Sequence, residues 1–149
     1  MNKKPNTPFH YLARGILSAG GKVLLARQIG AGNTFLPGGH IDHREKADAA
    51  LIREIYEEIG ETAIVGRFIG AVEAGWAEDG FDHHEINLVF EVTVPNLDSS
   101  TPPESRERHL EFLWANPSDL AKHNLQPAPM MACITQWRED GKAFWGTAL

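Results

Sequence analysis

The chain has 149 residues, with 14 Lys and Arg against 20 Asp and Glu, a net charge of −6, and 42% hydrophobic residues. That length suits one compact domain burying roughly two-thirds of its unfolded surface, and a charged fraction of 23% excludes the disordered class. The acidic balance excludes non-specific coating of nucleic acid, which relies on Lys and Arg to neutralise phosphates, and no run of about 18 apolar residues predicts a membrane helix.

Residues 1–8 read as a loose tail, basic at Lys3 and Lys4 and broken by Pro5 and Pro8, without the apolar core of a signal peptide. The single cysteine, Cys133, excludes an intrachain disulfide and a Cys-rich zinc module, so the expected setting is the cytoplasm. Phe9 to Leu17 predicts a strand, Gly20-Gly21 a tight turn and Lys22 to Arg27 a second strand, together a hairpin. After a loop at 30–33, Thr34-Phe35-Leu36 leads into the rigid Pro37-Gly38-Gly39. A helix is predicted over 46–59. There Ala47, Leu51, Ile55 and Ile59 form an apolar stripe that Ile52 widens, and Gly60 stands at the C-terminal cap.

Thr62 to Trp76 and Glu85 to Val94 read as strands joined by a polar, mobile loop over 77–84. Residues 97–106 are a Pro/Ser/Glu-rich loop. Leu110, Phe112 and Trp114 alternate on one face of a last strand, with Glu111 and Leu113 on the other. Asn116-Pro117 starts a short helix to about His123. A final helix, carrying Met130, Cys133, Ile134 and Trp137 on its apolar face, runs from Ala128 to Asp140 and stops at Gly141. The expectation is one mixed α/β domain over 9–149.

The chemistry concentrates on the 46–59 helix. Glu54, Glu57 and Glu58 stand at i, i+3 and i+4, on one face and about 5–6 Å apart. Such carboxylates repel one another unless a cation neutralises them, and hard oxygen ligands favour Mg²⁺ or Mn²⁺ over Zn²⁺. The bland alternative is a solvated acidic face balanced by Arg53, Lys46 and Arg44. The adjoining apolar stripe and the preceding Leu36-Pro37-Gly38-Gly39 turn, which can aim backbone carbonyls at the acids, favour a cation site.

Gly39 is followed by five residues and Glu45, and seven residues later by Arg53-Glu54-Ile55-Tyr56-Glu57-Glu58-Ile59-Gly60. This resembles the signature of the Nudix hydrolases, G-x5-E-x7-R-E-U-x-E-E-x-G-U with U a bulky aliphatic. The last position departs from it, with Glu61 in place of the aliphatic. The resemblance implies an α+β fold, an α/β/α sandwich with a mixed central sheet, the box helix on one side and the C-terminal helix on the other. It implies Mg²⁺-dependent hydrolysis, with Mn²⁺ as a substitute, of a nucleoside diphosphate linked to another group. A nucleoside triphosphate or a nucleotide sugar such as ADP-ribose is expected, attacked by water at phosphorus.

By the same resemblance, Glu54, Glu57, Glu58 and the Gly39 carbonyl are metal ligands, while Glu45 supports the site through Arg53, which orients the carboxylates. Glu104, Glu107 and Glu111 compete as general base outside the box, with Glu107 favoured and Glu57 or Glu58 as internal alternatives. Arg27, Phe35, His40 and Glu85 are candidate substrate contacts, and Trp76 and Phe81 are further aromatics that could stack on a base. His40-x-x-His43 and His83-His84 lack the company expected of zinc ligands. A nucleotide-sensing module without catalysis and an RNA 5′-end pyrophosphohydrolase are the alternatives. Intact box carboxylates argue against the first, and the absence of a Lys/Arg-rich patch argues against a long nucleic-acid partner. Homodimerisation is compatible with the family.

Overall fold

The computed structural model describes residues 7–149, so most of the expected tail lies outside the described residues. Thr7 and Pro8 carry no regular structure, and the Pro8 carbonyl accepts a hydrogen bond from the His84 amide at 3.0 Å. Strands β1 (Phe9–Ala19) and β2 (Lys22–Gln28) form the expected hairpin around Gly20-Gly21. A short β3 (Gly38–His40) then lies antiparallel on β1, with Leu12 opposite His40 and Ala13 opposite Gly39. At Gly38 φ is +133°, and a methyl group there would collide with the Ala13 carbonyl oxygen, so only glycine lets β3 approach β1 this closely.

Helix α1 (Ala47–Ile59) ends at Gly60 in the left-handed conformation, as its sequence predicts. It buries Ala50, Leu51, Ile55, Glu58 and Ile59. The stripe is narrower than expected: Ile52 points outward and is 39% exposed.

Strands β4 (Ile64–Glu78) and β5 (Phe81–Thr93) correct the expected mobile loop over 77–84. They continue as one hairpin to a two-residue turn at Asp79-Gly80, where φ is +50° and +80°. Asp-Gly is the favoured pair for such a turn because its twist matches that of the flanking strands. Trp76 lies opposite His83 there, and the two rings stack at 4.9 Å.

Strand β6 (Leu110–Ala115) follows as expected, but the helix expected to reach His123 is a single 3₁₀ turn, Pro117–Asp119. The backbone beyond it is captured by Thr34, which donates its amide to the Asn124 carbonyl and accepts from the Gln126 amide. Helix α2 (Pro129–Glu139) precedes a strand that the sequence reading did not anticipate, β7 (Phe144–Ala148). It lies parallel on β4 over Gly70 to Ala74, and a methyl group on Gly70 would collide with the Phe144 carbonyl.

The sheet order is β6-β2-β1-β5-β4-β7, with β3 also on β1, and it is mixed because β1 runs parallel to β5 and β4 to β7. Alternation along β2 sends Val23 and Leu25 to one face, with Met130, Cys133 and Ile134 of α2. Leu24 and Ala26 go to the other face, with Leu51, Ile55 and Ile59 of α1. The helices therefore cover opposite faces, the α/β/α sandwich expected. No helix among the described residues is long and apolar enough to cross a membrane. Burial pushes the Cys133 thiol up to about 11. It should therefore ignore Ellman's reagent in the native protein and react stoichiometrically in urea, and rapid native labelling would contradict this packing.

Candidate active site

The acidic face of α1 meets the β3 turn through an arginine. Arg53 grips Glu45 with two bonds, Nε to Oε2 at 2.9 Å and Nη2 to Oε1 at 2.8 Å. The same guanidinium donates to the His40 carbonyl at 3.0 Å, to Glu54 Oε1 at 3.0 Å and to Glu57 Oε1 at 3.3 Å. One planar, five-donor group thus sets the spacing between the turn and two box carboxylates. The pairing holds the Glu45 carboxyl down to about 2 and raises Arg53 further above its ordinary value.

Glu54 packs directly on Gly39, where an added methyl group would lie 2.5–2.7 Å from the carboxylate atoms. A larger residue at this position would push the Glu54 carboxylate away from the turn.

Glu58 differs from its neighbours. Seven residues after Leu51, it falls on the apolar stripe and is only 5% exposed. Its Oε2 is buried without any hydrogen-bond partner. Desolvation pushes its carboxyl up to about 8, against the pull of Arg14 and a Gly38 amide bond and with the repulsion of Glu54 and Glu107. A buried, orphaned carboxylate oxygen is costly on its own and is a ready partner for a cation.

No three of His, Cys, Asp and Glu among the described residues already form a metal cage. Mg²⁺ does not require one, since it shares its shell among one or two carboxylates, water and substrate phosphate. The orphaned oxygen and the Gly39 cradle make Glu54, Glu57 and Glu58 a fitting donor set.

Beneath them lies Arg14, half-buried, which the sequence reading missed. Its Nη1 donates to the Leu36 and Gly38 carbonyls, both at 3.1 Å, and its Nε to Asn87 Oδ1 at 3.3 Å. Burial lowers its pKa, while Glu58, Glu85 and Glu54 pull it back up. A lone arginine inside the apolar strand segment Tyr11-Leu12-Ala13-Arg14-Gly15-Ile16-Leu17 was the available signal. Asn87, also missed, is buried and donates to Glu85 Oε1 at 3.0 Å and to the Val72 carbonyl at 3.2 Å.

The remaining candidates separate cleanly. Glu107 is close enough for its charge to raise Glu58, and its loop is tied to α1 by the Arg106 amide on the Glu58 carbonyl at 2.7 Å. Glu111 is instead paired with Arg27 across β2 and β6 at 2.8 Å, which occupies both residues away from the acids. Glu104 is exposed. Phe35, Glu85 and Trp76 line a cavity of about 340 Å³ together with Arg14, Asn87 and Met130, whereas Arg27 and Phe81 do not. The His40 ring bonds His10 at 2.9 Å, and His10 in turn bonds His83 at 2.9 Å.

Residues 10–134 match the family model described as NUDIX domain. The chain is 29% identical over 109 residues to nucleoside triphosphatase NudI of Escherichia fergusonii, covering 68% of this chain and 74% of that protein. It is 35% identical over 63 residues to mouse diphosphoinositol polyphosphate phosphohydrolase 3-alpha, covering 42% of this chain and only 35% of that one. Among solved structures, a MutT protein from Methanosarcina mazei Go1 superimposes with a TM-score of 0.71 at 21% identity, covering 93% and 99% of the two chains. An ADP-ribose pyrophosphatase from Streptococcus suis 89-1591 does so with a TM-score of 0.61 at 16% identity. The match over most of the sequence, falling on the acidic helix and the glycine turn that hold this site, means that the chain belongs to the Nudix hydrolases and is a pyrophosphohydrolase of that type.

Proposed function

We propose that the chain hydrolyses the pyrophosphate bond of a nucleoside diphosphate linked to a further group, a nucleoside triphosphate or a nucleotide sugar, with Mg²⁺ or Mn²⁺ bound. The observation that carries this reading is the unpartnered, buried Glu58 Oε2 beside Glu54 and Glu57, with a cavity of about 340 Å³ on the other side of Arg14. Glu54, Glu57, Glu58 and the Gly39 carbonyl would hold the ion. A bound divalent ion supplies charge neutralisation at the phosphates and a lowered pKa for coordinated water.

The chain's own residues do the rest. Arg53 fixes Glu54 and Glu57 in register with the turn, and Arg14 ties down the Leu36 and Gly38 carbonyls on either side of Pro37. Glu107 accepts the proton of the attacking water as its oxygen bonds to phosphorus and the bridging P–O bond breaks, releasing a phosphate-terminated leaving group. Such positioning and electrostatics are most of what phosphoryl transfer asks of a protein.

The test is product release from a panel of nucleoside triphosphates and ADP-ribose with Mg²⁺, with Mn²⁺ and with EDTA. Turnover that is metal-dependent supports the reading, and no turnover of any nucleotide, or turnover indifferent to EDTA, refutes it. Arg53→Lys should lower activity by about 10–100-fold at limiting Mg²⁺, because a point charge cannot hold three carboxylates and a carbonyl at once. Near-normal activity in a metal titration would show that Arg53 does not position the acids.

A further inference from the structure

The cavity beside the acids has an unusual charge pattern. Its walls include the rings of Phe35 and Trp76 and the thioether of Met130, apolar surfaces suited to a flat ring. Among the described residues, the one basic side chain in its lining is Arg14, whose Nε and Nη1 donate to Asn87 and to the Leu36 and Gly38 carbonyls.

The acid in the lining, Glu85, is held from behind. Arg14 donates to the Asn87 oxygen, which turns the Asn87 amide nitrogen onto Glu85 Oε1 at 3.0 Å. This relay fixes the orientation of the asparagine amide and leaves the carboxylate facing the cavity as an acceptor.

We propose that Glu85, positioned by Asn87, selects a nucleobase presenting two adjacent N–H donors, the N1–H and 2-amino edge of guanine. This deepens the pyrophosphohydrolase reading, on which it rests, by naming the substrate class as guanine nucleoside triphosphates. A carboxylate accepts two parallel N–H bonds from that edge. Adenine offers an acceptor at N1, which the carboxylate repels, and an inositol polyphosphate or a sugar phosphate would bring like charge against Glu85.

The experiment compares kcat/KM for GTP, ITP and ATP in the intact protein and in Glu85→Gln. GTP should exceed ATP by about ten- to a hundredfold, the range of one charge-assisted bond. ITP, which keeps N1–H but lacks the 2-amino group, should fall between them, and this arm needs no altered protein. Glu85→Gln should shrink the GTP to ATP ratio to about threefold or less. The proposal is overturned if ATP is used as well as GTP, or if a GTP preference survives in Glu85→Gln.

Two further arms separate it from the reading beneath it. Metal-dependent hydrolysis of ADP-ribose or a diphosphoinositol polyphosphate, without preference among the triphosphates, defeats the guanine assignment and leaves the pyrophosphohydrolase standing. Glu85-dependent binding of guanosine 5′-(β,γ-imido)triphosphate, measured by calorimetry in a protein that hydrolyses no nucleotide, supports the pocket assignment and defeats the catalytic one.

Discussion

Glu58→Gln should abolish turnover while making the metal-free protein more stable. Under the proposed function Glu58 would hold the metal ion, and losing that charged ligand would remove several kcal/mol of transition-state stabilisation, so kcat should fall by about a thousandfold or more. The stability effect has the opposite sign because the carboxylate is desolvated and one oxygen is unpartnered. Its pKa rises from 4.5 to about 8 on folding, so between those values the native state holds a proton that the unfolded state has released. Stability of the metal-free protein should therefore fall as pH rises through that window and level off above it. The neutral amide removes the dependence and should gain on the order of 2 kcal/mol at pH 9, an upper-end figure for one buried charge. Urea midpoints in EDTA at pH 5 and pH 9 measure it. A variant that is inactive and also less stable at pH 9 would mean that Glu58 serves the fold and not the reaction. Activity bought at the expense of stability is a common feature of catalytic sites.

Arg14→Met should be the most damaging single change to the fold. It strips the donor from two carbonyls and from Asn87, and leaves Glu58 and Glu85 without the positive charge that faces them. Leaving those acceptors unpaired and Glu58 without a nearby positive charge costs about 1–3 kcal/mol per stranded buried group, a large share of a domain's total stability. If Glu58 is the group left exposed to that loss, Glu58→Gln in the same chain should recover 1 kcal/mol or more. Chemical denaturation of the two single variants and the double variant closes the cycle. Additive effects would show that Arg14 acts through the carbonyls alone.

The sequence by itself determined whatever depends on short-range spacing. The span of α1, its glycine cap, the β1–β2 hairpin and the grouping of Glu54, Glu57 and Glu58 all follow from a period of 3.6 or 2 and from turn chemistry. The Arg53–Glu45 pair was legible through the resemblance, and the structure shows it as two short bonds. The Asp79-Gly80 turn was also written in the chain, but its polar neighbours read as loop because their pairing partners lie across the hairpin.

What only the tertiary structure decided is where long-range neighbours meet. β7 has too few residues to announce itself and exists because Gly70 admits its backbone against β4. Arg27 and Glu111, both candidates from local position, find each other across two strands 84 residues apart and leave the site. Arg14 and Asn87 join it only when β1 and β5 run side by side. Local periodicity reports which face a residue occupies, whereas burial of a charge and the identity of its partner depend on which strands the sheet brings together.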